Sequence, residues 1–270
     1  MSIKEMTPDA LRRYVQTHGE GAYVLVDVRQ PQEYQLGHIP GARLVPLPEL
    51  VRDMARLPAD KELVVYCHSG ARSMAAATML AEEGFQGPIY NLSGGMMHWD
   101  GFLLADQPRV DLVAGQSLAE MYQTALNLEK GAQIFYETVS REDVDQPSAQ
   151  VFARLAEAEI AHARTVYGFW QQAAEDIDPF DAVYARCSGE VIEGGMSLQA
   201  ALERAGGMRR ERCLRLIELA LLIEYAAFDL YRTLADRTEA PAAGQAFLKL
   251  AQAEKAHMQA LIDAIEGCEA

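Results

Sequence analysis

The stretch ELVVYCHSGARS, residues 62–73, combines a short apolar strand, a turn that begins at a cysteine, and the start of a helix. ELVVYC at 62–67 is short and rich in valine, as are strands that are buried on both faces of a sheet. The turn contains Gly70, and a helix is predicted from Ser73 to Glu83, ending before Gly84. This order of elements is typical of a parallel sheet covered by helices.

The same alternation of strand and helix extends over the first half of the chain. YVLVDV at 23–28 and PIYNL at 88–92 are predicted to be further strands of this sheet. Thr7-Pro8-Asp9 is predicted to open a helix, because proline is favoured at the first helical position. We therefore expect an α/β domain over residues 1–108, with a parallel sheet flanked by helices.

The composition changes after Pro108, where alanine, leucine, glutamate and glutamine become frequent. Residues 174–208 form a long connection in this half, with one short helix predicted at Leu198–Arg204. Long helical patterns occur at about 117–140, 147–173, 209–236 and 243–266. One long link between two short ones is typical of a four-helix bundle with a single crossover, so we predict an all-α domain at 109–270.

Net charge, apolar runs and cysteine spacing limit the kinds of partner that the protein can bind and the cell compartment in which it is expected. The net charge of −15 over 270 residues disfavours nucleic acid and anionic membranes as partners. The N-terminal residues carry charges where a secretory signal needs an apolar run, and no stretch approaches the ~20 apolar residues of a membrane span. The four cysteines form no CxxC pair, so we expect a cytoplasmic protein without a disulfide framework.

Cys67 lies where a sulfur anion would be stabilised. The N–H groups of such a turn converge, the helix N-terminus adds the positive end of its dipole, and Arg72 adds a cation. These effects lower the pKa of a cysteine below its ordinary value of about 8.5, and the thiolate can attack the outer sulfur of thiosulfate or a persulfide. Besides Cys67 and Arg72, the predicted active-site loop contains His68, Ser69, Gly70, Ala71 and Ser73.

Three stretches of the first half resemble the rhodanese family of sulfurtransferases: VDVRQPQEYQLGHIPGA (26–42), YCHSGARS (66–73) and NLSGGMMHW (91–99). The resemblance implies that Cys67 carries sulfur as a persulfide and that Arg72 binds the anionic donor. It also implies that Asp27 and Arg29 support the loop. Arg43-Leu44 departs from the asparagine-containing continuation that is usual after GHIPGA.

This loop has two other possible interpretations. Cysteine phosphatases and arsenate reductases use a Cys-x5-Arg loop that encloses a tetrahedral anion, whereas Cys67 and Arg72 form the shorter Cys-x4-Arg. Some rhodanese modules are inactive signalling domains, but these have usually lost the cysteine. The retained Cys67 and Arg72 favour activity.

The second half contains an internal repeat with an offset of 95 residues. RLAEAEIAH at 154–162 aligns with KLAQAEKAH at 249–257, and the same offset aligns Glu129 with Glu224. We therefore predict two similar helical hairpins related by a pseudo-twofold axis. Each hairpin has one Glu-x-x-His pair on a single helix face, and a further glutamate within an apolar stretch. A buried carboxylate costs several kcal/mol unless it is compensated, and metal ions would compensate it.

LNLEKGAQIFYE (126–137) and LLIEYAAFDLYR (221–232) resemble the rubrerythrin and erythrin branch of ferritin-like di-iron proteins. The resemblance implies two metal ions, with iron favoured by carboxylate and imidazole ligands and manganese or zinc as alternatives. The ligands that it implies are Glu129, Glu159, His162, Glu224, Glu254 and His257.

The resemblance also implies that Tyr136 and Tyr231 donate hydrogen bonds to the opposite carboxylate; the alternative is that they are ordinary core tyrosines. Two features depart from typical rubrerythrins. Ala227 occupies a position where they carry an additional glutamate, and the sequence lacks the CxxC pairs of a rubredoxin domain. An external electron donor is therefore expected.

The sequence leaves two hypotheses open. In the first, the chain is an enzyme that takes sulfur from a small anionic donor, passes it to a thiol acceptor, and performs redox chemistry at a di-iron centre. In the second, the bundle binds iron or senses oxidants, and the rhodanese domain relays sulfur or a signal. A homodimer is expected by analogy with ferritin-like proteins.

Overall fold

The computed structural model describes residues 3–106, 108–113, 115–142, 148–174, 176–208 and 211–268. The chain divides into two compact units, Met1–Gln107 and Pro108–Ala270. Within the described ranges, every helix is too short or too polar to cross a membrane.

The first unit is a parallel sheet of five strands in the order β1-β5-β4-β2-β3, which confirms the α/β prediction. The strands are β1 (Lys4–Met6), β2 (Tyr23–Asp27), β3 (Ala42–Leu44), β4 (Glu62–Tyr66) and β5 (Ile89–Leu92). The helices are α1 (Pro8–Thr17), α2 (Pro31–Leu36), α3 (Leu50–Asp53) and α4 (Ala71–Glu82). The sequence did not predict β1 and β3, because three residues are too few to show a period.

Strand β4 lies in the middle of this sheet, between β5 and β2. Its side chains alternate between two apolar layers: Leu63 and Val65 pack on one face, and Val64 and Tyr66 pack on the other. Cys67 follows β4 directly, so the predicted active-site loop leaves the carboxyl edge of the sheet at its centre.

The second unit contains a four-helix bundle, as predicted. Helices α5 (Leu118–Glu142) and α6 (Ala149–Ala173) pack together, and so do α9 (Arg212–Arg237) and α10 (Pro241–Cys268). The crossover between the two hairpins contains α7 (Phe180–Ala185) and α8 (Leu198–Gly206). The sequence indicated α8 but not the short α7. The predicted helix starts at 147 and 209 fall outside the described residues.

The expectation of a chain without a disulfide framework is wrong for one pair of cysteines. Cys213 and Cys268 form a disulfide, with their Cα atoms 5.5 Å apart. The two residues are 55 positions apart in the sequence, but α9 and α10 form a hairpin that brings the start of one helix beside the end of the other. Cys268 is therefore not a free terminal thiol, whereas Cys67 and Cys187 are free.

The crossover packs closely against α5. Gly131 of α5 lies against the backbone carbonyl of Val191, and a Cβ atom at this position would overlap that oxygen. Val191 and Ser197 pair in an antiparallel bridge, so the segment between them forms a short loop over the bundle. The absence of a side chain at residue 131 is thus what permits the close approach.

We predict that Gly131→Ala destabilises the protein by about 1–3 kcal/mol, because the overlap with Val191 outweighs the helix propensity of alanine. Gly168→Ala in α6 is the matched control, since a Cβ atom there meets nothing within 4 Å. It should stabilise the protein by up to about 1 kcal/mol. Denaturant unfolding of the two variants measures both effects, and equal stabilisation would contradict the described approach of the crossover.

Candidate functional site

The loop after β4 surrounds the sulfur of Cys67 with donors. Cys67 is fully buried, and its Sγ accepts the N–H of Gly70 at 3.1 Å. Gly70 has a φ of +93°, a conformation that side chains disfavour, and it also lies close to the backbone of Gly94. Glycine at position 70 therefore allows the turn to direct its amides at the sulfur.

A second segment, NLSGGMM at 91–97, packs against the outer side of this loop. The N–H groups of Met96 and Met97 donate to the carbonyls of Cys67 and His68, each at 2.9 Å. Gly95, with a φ of +55°, lies so close to the Cys67 carbonyl that a Cβ atom would not fit. The loop carbonyls are thus occupied on one side, which leaves the amides to face the sulfur.

Ser73 connects the sulfur to a chain of polar groups that runs through the buried Asn91 to the exposed Glu5. Its Oγ lies 3.4 Å from Cys67 Sγ and 2.6 Å from Asn91 Oδ1, and Asn91 Nδ2 donates to Glu5 at 3.1 Å. Burial alone would raise the pKa of Cys67. The Ser73 hydroxyl and the amides of Ser73, Ser69 and Gly70 outweigh it, so the pKa of Cys67 is lowered.

Arg72 lies at the mouth of the loop but is paired with Glu33 of α2, at 2.7 and 2.8 Å. The guanidinium lowers the pKa of Glu33 to about 2. Both side chains are about one-third exposed, so the pair faces solvent rather than the core. His68 and Ser69 are exposed beside it. Sequence reasoning did not assign Glu33 a role, although the residue lies within the quoted stretch 26–42.

Asp27 and Arg29 form a buried ion pair at 2.7 Å. In the sheet, Asp27 pairs with Tyr66, the residue that precedes Cys67. Arg29 also donates a hydrogen bond to the carbonyl of Gly37 at 2.7 Å. The pair therefore connects the end of β2 with the segment after α2, close to the base of the active-site loop.

We predict that Ser73→Ala raises the pKa of Cys67, because the thiolate loses a hydroxyl donor. The pH at which the alkylation rate of Cys67 rises should shift upward, and the rate at neutral pH should fall. Ser69→Ala is the control, since its side chain is exposed and only its amide faces the sulfur. An unchanged alkylation profile in Ser73→Ala would argue against this role of the hydroxyl.

The second candidate site lies inside the four-helix bundle. All six predicted ligands are buried: the four carboxylates are fully inaccessible, and the two imidazoles are less than one-tenth exposed. They come from α5, α6, α9 and α10, and the rings of His162 and His257 stack with their centroids 4.7 Å apart. The structure therefore brings the residues of the two repeats to one place.

The distances divide the carboxylates into two kinds. Glu159 lies 3.2 Å from His162 Nδ1 and 3.3 Å from His257 Nδ1. Glu254 likewise reaches His257 at 3.3 Å and His162 at 3.6 Å. Glu129 lies 3.4 Å from His162, and Glu224 lies 3.1 Å from His257. Two carboxylates are thus central, and the other two lie at the ends of the cluster.

Each predicted tyrosine crosses to the other hairpin. Tyr136 donates to Glu224, and Tyr231 donates to Glu129 at 2.6 Å. These bonds connect α5 with α9 in both directions. They leave the remaining oxygens of the two glutamates directed towards the cluster.

Glu193 is a buried residue of this cluster that sequence reasoning missed. It belongs to the crossover, is 1% exposed, and accepts a hydrogen bond from Tyr231 at 3.1 Å. Its carboxylate lies within 4.8 Å of the ligand atoms of Glu129, Glu159 and His162. The only signal in the sequence is the Glu-Gly-Gly run at 193–195, which has no helical period.

The buried groups fit metal ions. Several of their atoms have no hydrogen-bond partner: Glu129 Oε2, both oxygens of Glu159 and Glu254, His162 Nδ1 and Glu193 Oε2. Carboxylate oxygens and imidazole nitrogens are ligands of iron, manganese and zinc, and the fold gives them a common centre.

The pKa shifts of the cluster residues also indicate that positive charge is required to balance the buried carboxylates. Burial and the neighbouring carboxylates raise the pKa of Glu193 and Glu254 well above the ordinary range. Burial alone would lower the pKa of His162, but Glu129 and Glu159 outweigh it and raise the pKa to about 11. Without metal, protons must therefore balance the buried negative charge.

Two family models match the chain, one in each unit. A family model described as rhodanese-like domain matches residues 9–101, and one described as rubrerythrin matches residues 215–270. The rubrerythrin match covers α10 and most of α9, the helices that carry Glu224, Glu254 and His257. The internal repeat places Glu129, Glu159 and His162 in equivalent positions on α5 and α6.

Individual relatives match the first unit. The protein YtwF of Bacillus subtilis (strain 168) is 39% identical over 101 residues, which are 37% of this chain and 94% of the relative. A sulfurtransferase of Allochromatium vinosum is 41% identical over 76 residues, which are 28% of this chain and 70% of the relative. The thiosulfate sulfurtransferase GlpE of Pseudomonas paraeruginosa is 36% identical over 105 residues, 39% of this chain and 91% of the relative. The chain therefore belongs to the rhodanese-like family through its first unit, and part of its second unit matches the rubrerythrin model.

Proposed function

We propose that the chain is a sulfurtransferase that carries sulfane sulfur as a persulfide on Cys67, and that its bundle holds two metal ions for redox chemistry. The proposal assigns the first activity to residues 1–108 and the second to residues 109–270. The observation that carries the sulfur-transfer part is the 3.1 Å contact from the Gly70 amide to Cys67 Sγ, within a loop whose carbonyls are bonded elsewhere.

The first half of the transfer loads the cysteine. The Cys67 thiolate attacks the outer sulfur of thiosulfate, a new S–S bond forms, and the S–S bond of the donor breaks. Sulfite leaves with the electron pair of that bond, and Cys67 retains a persulfide with one negative charge. The amides of the loop, which already stabilise the thiolate, would stabilise this anion as well.

The second half unloads the cysteine. The thiolate of an acceptor attacks the terminal sulfur, and the Cys67 thiolate leaves with the electron pair of the S–S bond. Arg72 lies at the mouth of the loop and would attract an anionic donor. Because Glu33 already pairs with this guanidinium, a donor that binds Arg72 must compete with the carboxylate.

In the bundle, the ligands of the proposed ions are Glu129, Glu159, His162, Glu224, Glu254 and His257. Iron is the proposed metal, and manganese or zinc would fit the same donors. When bound, a pair of iron ions supplies electrons to peroxide, oxygen or a sulfur species. Tyr136 and Tyr231 hold the two terminal carboxylates in place by donating to them, and an external donor would supply electrons.

We predict that Cys67→Ala abolishes sulfur transfer from thiosulfate to cyanide, because the variant cannot form a persulfide. Cys187→Ala is the matched control, since Cys187 is the other free cysteine of the described residues and lies buried in the second unit. It should retain the activity. Undiminished transfer by Cys67→Ala would refute the assignment of the carrier.

We predict that Glu159→Gln lowers the affinity for iron at least about tenfold, because Glu159 lies between both histidines. Glu157→Gln changes an exposed glutamate on the same helix and should leave the affinity unchanged. Elemental analysis after anaerobic loading and desalting measures the retained iron. Equal iron content in the two variants would contradict the ligand assignment.

The lack of a CxxC pair in the sequence favours a second candidate, in which the bundle stores iron or senses oxidants. Stopped-flow oxidation of the ferrous protein by peroxide, in the presence of a reductant, separates the two candidates. Rapid multiple turnover supports an enzyme. A single slow oxidation supports storage or sensing.

A further inference from the structure

Glu193 adds a fifth carboxylate to the four that the repeat accounts for. Its side chain is 1% exposed, Oε1 accepts the Tyr231 hydroxyl at 3.1 Å, and Oε2 is buried without a hydrogen-bond partner. Leaving a buried carboxylate oxygen without a donor is costly, which indicates that Oε2 faces a ligand position.

The backbone around Glu193 forms a tight loop that brings this side chain to the carboxylate cluster. Ile192 N–H donates to Met196 O at 2.8 Å, which closes a tight loop around residues 193–195. Gly194 has a φ of +72° and lies against Ala226 of α9, where a Cβ atom would overlap the alanine side chain. A small residue on the helix and a glycine in the loop together let the crossover approach the cluster.

This contribution breaks the symmetry of the two repeats. Ligand atoms of Glu129, Glu159, His162 and Glu193 lie within 4.8 Å of one another, whereas the equivalent group in the other repeat is Glu224, Glu254 and His257. The repeat offset of 95 would place a counterpart of Glu193 at residue 98, which belongs to the first unit. Among the described residues, the crossover adds its carboxylate to the end of the cluster that holds Glu129 and His162.

The hydrogen bonds differ in the same way. The hydroxyl of Tyr231 lies between two carboxylates, 2.6 Å from Glu129 and 3.1 Å from Glu193. Tyr136, its counterpart in the repeat, donates to the single carboxylate of Glu224. Tyr231 thus holds Glu193 and Glu129 side by side.

We propose that Glu193 is a ligand of the metal ion held by Glu129 and His162, and that this ion binds more tightly than the one held by Glu224 and His257. The inference rests on the proposed two-metal site and concerns which ion each residue contacts. It predicts two unequal affinities for a hard divalent cation, because one position has an additional oxygen donor.

The test is an anaerobic calorimetric titration of the full-length, metal-free protein with Mn²⁺ alone. The wild-type chain should bind two ions with resolved affinities. Glu193→Gln removes the charge and keeps the size, so it should weaken the tighter ion at least about tenfold and leave the other unchanged. Glu190→Gln, an exposed glutamate of the same crossover, is the matched control and should bind like the wild type.

Histidine variants assign the effect to one end of the cluster. In a His257→Ala background the ion beside His162 remains, and adding Glu193→Gln should weaken it. In a His162→Ala background the same substitution should have no effect. The opposite pattern would overturn the assignment.

The other outcomes are also decisive. If Glu193→Gln binds each of the two ions with the same affinity as the wild type does, Glu193 is not a ligand, and the two-metal proposal stands. If the wild type binds no Mn²⁺, the two-metal proposal itself fails, and this inference fails with it. Should Glu193→Gln fail to fold, Glu193→Asp, which keeps the charge on a shorter side chain, must weaken the tighter ion; unchanged binding would overturn the inference.

Discussion

Negative charge placed away from water must be compensated, and this constraint underlies both candidate sites. In the bundle, five carboxylates share a buried cluster with two imidazoles, and several of their oxygens have no hydrogen-bond partner. In the first unit, the buried sulfur of Cys67 is surrounded by donors that lower its pKa and so favour the thiolate. An uncompensated ion in either place would cost several kcal/mol, comparable with much of the stability of a domain.

The two units meet the constraint by different means. Around Cys67 the compensation comes from the Ser73 hydroxyl and from backbone amides. The amides converge on the sulfur because Gly70 and Gly95 adopt positive φ and because Met96 and Met97 occupy the loop carbonyls. Such dipoles would suit both the thiolate and the proposed persulfide. In the bundle, rigid helices bring the carboxylates together, and cations are the compensation that the donor set fits.

Short-range patterns and the repeat predicted much of the fold. The strand and turn before α4 predicted the sheet and the cysteine loop, and the offset of 95 residues predicted two equivalent hairpins. The six candidate ligands were implied by the family resemblance, and the structure brings them together. The tyrosine contacts with the opposite glutamates were expected from the family resemblance alone, and the structure contains these hydrogen bonds.

What the sequence could not show depends on contacts between distant segments. Glu33 and Arg72 are 39 residues apart, and Cys213 and Cys268 are 55 apart, so no local spacing reveals either pair. Glu193 lies in an irregular crossover, and its burial becomes apparent only when Gly194 is seen against α9. Strands β1 and β3 have three residues each and gain their structure from pairing with β5 and β2.

The most direct test of the central claim is anomalous X-ray diffraction from crystals of the full-length protein loaded with Mn²⁺ or Fe²⁺ under anaerobic conditions. The account predicts two anomalous peaks inside the bundle, beside Glu159 and Glu254, one close to His162 and the other close to His257. Crystals from the same loading that show no peak among these residues, or carboxylates turned away from a common centre, would contradict it.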